Sequence, residues 1–139
     1  MSNLRTLLLS PRSDPGNRLE EYLRKRLLGL GTEVITIERD FTLGNSWADP
    51  IFEAIRKADL IFCDISLDSI NLYYELGIAH AMSKPTVLLR SKQSRIEIPQ
   101  ALQGFLYYAF SPDWPEADLH NIVARAVEEA IKKKEGINE

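Results

Sequence analysis

Short, largely apolar runs alternate along this chain with longer segments of helical periodicity. Leu4 to Leu9 has the length and character of a strand buried on both faces. Pro11 to Gly16 is turn chemistry. From Asn17 onward, Leu19, Tyr22, Leu23, Leu27 and Leu30 recur at helical spacing, and Gly31 supplies a stop. Val34 to Ile37 predicts a second strand, rich in β-branched residues. After a loop at Phe41 to Asn45, Ser46 is placed to cap a helix through Ile51, Phe52, Ile55 and Ala58, with Pro50 tolerated in its first turn.

Leu60 to Ile65 predicts the third strand and Asn71 to Met82 the third helix, with Asn71 as its N-cap and Glu75 in its first turn. Leu72, Leu76 and Ala79 form its sheet-facing stripe. Pro85 to Leu89 is a fourth strand, Ala101 to Gln103 one helical turn, and Leu106 to Phe110 a fifth, aromatic strand. A last helix opens at Trp114-Pro115 and carries Leu119, Ile122, Val123, Ala126, Val127 and Ile131 on one face.

Strands separated by helices of this length imply an α/β fold. The expectation is a three-layer αβα sandwich around a five-stranded parallel sheet in the flavodoxin-like order 2-1-3-4-5. One domain over residues 1–134 is expected, with 135–139 a frayed tail. In this order the crevice opens at the C-terminal ends of the first and third strands. Ser10 to Asp14 and Asp64 to Asn71 belong there.

Composition narrows the class. The 139 residues are 45% apolar and 27% charged with net charge −3, an ordinary globular balance. The basic run Lys132 to Lys134 shares its helix with Glu128, Glu129 and Glu135 and reads as a solvated helix end, so neither nucleic acid nor a membrane is expected as partner. The single cysteine, Cys63, lies in an apolar run and reads as a small core residue. With no long apolar run and no leader-like N-terminus, a cytoplasmic location is expected. Phosphate-loop, dinucleotide-binding and nucleophile-elbow motifs are absent, no His/Cys/Asp cluster has metal-ligand spacing, and no cofactor is expected.

Two carboxylates stand out at the sheet edge: Asp64 at a strand end and Glu75 on the next helix. Breaking an N-glycosidic bond needs a carboxylate to stabilise or capture an oxocarbenium-like sugar, and a second group to hold the sugar or help the base depart. Glu75 suits the first role and Asp64 the second. Each also has a plainer reading: Glu75 as a carboxylate favoured by the helix dipole, Asp64 as a turn anchor. His80, about 140° round the helix from Glu75, reads as a surface or core histidine.

Asp64-Ile65-Ser66, Asn71, Tyr74-Glu75-Leu76-Gly77 and Lys84-Pro85 follow a pattern similar to that of nucleoside 2-deoxyribosyltransferases, deoxynucleoside-monophosphate N-hydrolases and bacterial TIR-like nucleotide-binding proteins. Ser10-Pro11, Ala58-Asp59 and Ile98-Pro99 look like the TIR-like branch. The resemblance implies Glu75 as nucleophile and Asp64 as its catalytic partner on the substrate. Ser10, Arg12, Ser13, Ser66 and Asn71 are the substrate-binding candidates, Arg12 supplying charge in a first loop that lacks the hydrolases' glycines. Leu67 to Asn71 keeps only the last residue of the TIR-like Gly-Arg-Asn-Pro-Asn.

The expected function is N-glycosidic cleavage or transfer on a nucleoside, nucleoside monophosphate or NAD. The alternative is a non-catalytic TIR-like nucleotide-binding and signalling module. A homodimer or larger assembly is expected from the family, in which neighbouring subunits help complete the site, and from the aromatic residues Phe105, Tyr107, Tyr108 and Phe110.

Overall fold

The computed structural model describes residues 4–10, 18–35, 37 and 48–136. Its elements run β1 (Arg5–Leu9), α1 (Arg18–Gly29), β2 (Glu33–Ile35), α2 (Ala48–Lys57), β3 (Leu60–Asp64), α3 (Ile70–Ala81), β4 (Thr86–Ser91), a 3₁₀ turn (Gln100–Leu102), β5 (Tyr107–Phe110) and α4 (Pro115–Lys134). The five strands form one parallel sheet in the order β2-β1-β3-β4-β5, as the alternating pattern implied. All five residues of β3 are buried, between β1 and β4.

Alternation along the strands feeds two cores. Leu7, Leu9, Ile61, Cys63 and Leu88 meet Ile51, Ala54 and Ile55 of α2 and Leu72, Leu76 and Ala79 of α3. Leu4, Leu60, Phe62, Leu89 and Phe110 meet Leu19, Leu23 and Leu27 of α1 and Leu119, Val123, Val127 and Ala130 of α4. Helices on both faces complete the three layers.

Local chemistry fixes where elements stop. At the end of α1, Gly31 takes φ +82°, a conformation that favours glycine, while its N–H bonds Leu28 O and that of Thr32 bonds Leu27 O. Lys84 closes α2 from outside, its Nζ donating to Arg56 O at 2.8 Å and Ala58 O at 2.9 Å. A cation there satisfies orphan carbonyls and opposes the negative end of the helix dipole. Asp59 Oδ2 accepts the Arg5 N–H and the Lys134 ammonium, both at 2.8 Å, tying β1 and α4 to the start of β3.

Several boundaries differ from those expected. Ser69, not Asn71, caps α3: its hydroxyl accepts the Leu72 N–H at 3.3 Å, and the helix begins at Ile70. Glu75 is therefore the sixth helical residue, and no acidic residue occupies the first turn. The second strand ends at Ile35, short of Ile37, whereas β4 continues through Arg90 and Ser91 because β5 pairs with them. The expected cap Ser46 and most of the 135–139 tail lie outside the described residues.

The crossover from β4 to β5 carries only the 3₁₀ turn where a helix could cover the sheet. A groove of about 730 Å³ remains between α3, β4 and that turn, lined by Tyr73, Leu76, His80, Leu88, Leu102 and Phe105 among others. His80 is exposed and packs edge-on against Phe105, with ring centroids 5.3 Å apart.

Replacing Lys84 with Met is expected to destabilise the fold by about 1–3 kcal/mol, the usual worth of hydrogen bonds from a charged donor. Urea denaturation measures this, and an unchanged midpoint would mean that α2 needs no cap from outside.

Candidate functional site

The carboxyl-terminal edge of β3 assembles the site. Asp64 ends the strand, only 9% exposed. Its Oδ1 accepts the Ser66 N–H at 3.0 Å and the Ser66 hydroxyl at 2.5 Å. That hydroxyl in turn accepts the Ser91 N–H at 2.7 Å, and Ser66 O accepts the Ser94 hydroxyl at 2.7 Å. The exit of β4 is thus stitched to the exit of β3 through one serine. Burial raises the Asp64 pKa above the ordinary aspartate value, and the two Ser66 hydrogen bonds offset part of that rise.

Glu75 sits inside the buried stripe of α3, among Leu72, Leu76 and Ala79, and is 3% exposed. A helix position three residues from one apolar contact and four from the next would ordinarily hold an aliphatic side chain. Glutamate is almost never buried this deeply without a specific reason. The favourable first-turn dipole does not supply one, since α3 starts earlier than its sequence suggested.

Cys63 links the two acids. The thiol is fully buried, and its pKa is pushed well above the usual value by burial, with the charges of Asp64 and Glu75 both adding to the rise. The cysteine itself is core, unsuited to thiolate chemistry.

Ser10 follows β1 directly and lines a small recess with Asp64, Leu8, Phe62 and Glu20. The structure thus brings Ser10 and Asp64 together, across the β1–β3 switch point. Glu20, which the sequence analysis does not single out, lines the same recess and faces Arg24 at 3.5 Å. Only the strand order, which places α1 beside the end of β3, reveals it.

Other candidates fall elsewhere. Arg12 and Ser13 lie outside the described residues. Asn71 is exposed on the first turn of α3 and does not cap it. The Ser66 hydroxyl donates to Asp64 while accepting from Ser91, so its first role is to hold that acid. Arg90, just past β4's pairing with β3, donates to Ile96 O and lies over the Tyr107 ring at 5.9 Å. Leu67, Ile70 and Tyr74 form an exposed apolar rim where α3 begins, 45%, 85% and 55% exposed. Among the described residues no group of three or more His, Cys, Asp or Glu is placed to hold a metal, and no helix is long and apolar enough to cross a membrane.

No family profile and no curated protein sequence matches the chain. Solved structures do share its fold. The CMP N-glycosidase of Clostridium botulinum superposes with TM-score 0.62 at 19% identity, over 85% of this chain and 97% of that one. The TIR domain of a Toll-related receptor from Hydra magnipapillata gives 0.63 at 20% identity, over 91% and 97%. The 2-deoxyribosyltransferase of Bacillus psychrosaccharolyticus gives 0.60 at 21% identity, over 86% and 90%. The fold is therefore one that these three proteins share, a CMP N-glycosidase, a TIR domain and a 2-deoxyribosyltransferase, as the sequence resemblance implied.

An acid whose pKa is raised by burial opposes folding when it is charged. Its contribution favours the fold below the unfolded pKa and is lost as pH rises through the folded one. Asp64→Asn is therefore expected to stabilise the protein at neutral pH by about 0.5–2 kcal/mol, a common size for relief of functional strain. Denaturation midpoints of both proteins from neutral to acid pH check this: the advantage should shrink as pH falls. A variant less stable at neutral pH would show that the Ser66 hydrogen bonds outweigh the burial.

Proposed function

We propose that this protein cleaves or transfers across the N-glycosidic bond of a nucleoside, a nucleoside monophosphate or NAD. The observation that carries the reading is the pair of buried carboxylates, Asp64 where β3 ends and Glu75 on the packed flank of the next helix, at the edge where folds of this order bind ligands. The neighbouring structures of a CMP N-glycosidase and a 2-deoxyribosyltransferase support the same chemistry.

Glu75 acts as nucleophile. Its carboxylate bonds to C1′ as the C1′–N bond breaks and the electron pair leaves with the base. Asp64, with its pKa raised, delivers a proton to the departing base of a nucleoside or nucleoside monophosphate. The nicotinamide of NAD instead leaves neutral and takes none, so Asp64 then serves only as the base for the attacking water. Water, or the nitrogen of a second base, then attacks C1′, releases Glu75 and returns a proton to Asp64. Ser66 keeps the Asp64 carboxyl aimed, and Ser10 meets the sugar or its phosphate alongside Arg12 and Ser13. The TIR domain among the neighbours supports a second reading, in which the same crevice senses a nucleotide without turning it over.

Chromatography after incubation with pooled nucleosides, nucleoside monophosphates and NAD separates the two. Release of a free base or nicotinamide by the wild type is expected, with Glu75→Gln slower by on the order of 10⁴-fold or more. Asp64→Asn is expected to lose about 10²–10⁴-fold, the range for a general acid. No release by a folded wild type would favour the sensing module.

A further inference from the structure

Among the described residues nothing pairs with the outer edge of the sheet, and the pattern of that edge is self-complementary. β5 pairs with β4 on one side only, and its residues Tyr107, Tyr108 and Ala109 are all exposed. Leu106, just before the strand, is 81% exposed, with Tyr107 at 43% and Tyr108 at 38%. The segment 106–110 carries no charge and no proline, the devices that usually blunt an edge. The usual covering is missing as well, because the β4–β5 crossover has only a 3₁₀ turn.

Hydrogen bonding fixes which groups are free. Phe110 O accepts the Lys92 N–H at 2.9 Å, so Phe110 faces β4. Along a strand the backbone groups of successive residues point to alternate sides, so Tyr108 also faces β4 while Tyr107 and Ala109 present N–H and C=O outward. The side chains alternate too. Phe110 enters the core against α1 and α4, which puts Tyr108 on that face and Tyr107 with Ala109 on the other, where the Arg90 guanidinium covers Tyr107.

We propose that β5 pairs antiparallel with β5 of a second copy, about a two-fold axis through Tyr108. This register uses both outward residues: Tyr107 of each copy exchanges backbone hydrogen bonds with Ala109 of the other. It sets the bulky Tyr107 opposite the small Ala109, Leu106 opposite Phe110, and the two Tyr108 side chains together in a non-hydrogen-bonded pair. Centring the axis on Tyr107 or on Ala109 instead leaves one outward residue of the strand without a strand partner. The product is a continuous ten-stranded sheet with the β3 edges far from the contact, so the assembly does not depend on the chemistry proposed above.

Light scattering coupled to size exclusion at concentrations of roughly 10–500 µM, a span that brackets micromolar association, reads the oligomeric state. A dimer is expected, and Ala109→Pro, which removes an outward N–H while leaving the bonds to β4, is expected to give a folded monomer. Tyr108→Cys reads the register independently. Under mild oxidation it should yield a disulfide dimer, whereas Tyr107→Cys should not, and Cys63 is too buried to interfere. A wild type monomeric throughout, with Tyr108→Cys uncrosslinked, overturns the proposal. So does a dimer that ignores Ala109→Pro and crosslinks at neither position.

Discussion

Everything at the functional edge depends on a strand that is buried along its whole length and ends in a carboxylate. Leu60 to Asp64 lies between β1 and β4 with helices on both faces, so its last residue leaves the core without reaching open solvent. Taking a charged carboxylate out of water is costly unless hydrogen bonds replace the lost hydration. Ser66 provides two of them within one turn, and that turn is what joins the β3 and β4 exits. The same burial that makes a charged Asp64 expensive raises its proton affinity, the property the proposed acid role requires.

Glu75 extends the argument to the neighbouring layer. α3 packs by a stripe of Leu72, Leu76 and Ala79, and a leucine at position 75 would fit the same stripe. Under the proposed function, glutamate at this position gives a carboxylate whose stem is fixed by the packing of α3. The two acids thus come from two elements, a strand end and a helix flank, each rigid for reasons unrelated to chemistry. Such an edge can host different reactions through loop changes alone, which fits the presence of glycosidases, transferases and TIR domains on one fold.

Much of this was legible beforehand, and the misses have physical causes. Strand order followed from alternating strand-length and helical runs, because crossover handedness leaves few arrangements. The cap of α3 did not: Ser69 and Asn71 both accept N–H bonds well, and only packing decides which residue starts the helix. That shift of two residues moved Glu75 out of reach of the first-turn dipole. Ser66 entered as a substrate-binding candidate through the resemblance, while its bond from Ser91 on the next strand is invisible until β4 is placed beside β3. Glu20 was missed for the same reason, as α1 reaches Asp64 only through the strand reversal at β1.

The most direct test of the chemistry is intact and peptide mass spectrometry after incubation with 2′-deoxy-2′-fluoroarabino nucleosides and their 5′-monophosphates. The fluorine slows release of a covalent sugar, so a nucleophilic carboxylate should be caught as an ester. The expected result is a single added sugar on the peptide carrying Glu75, absent from Glu75→Gln. A wild type that turns over natural substrates yet shows no adduct, or carries it on another residue, contradicts Glu75 as the nucleophile.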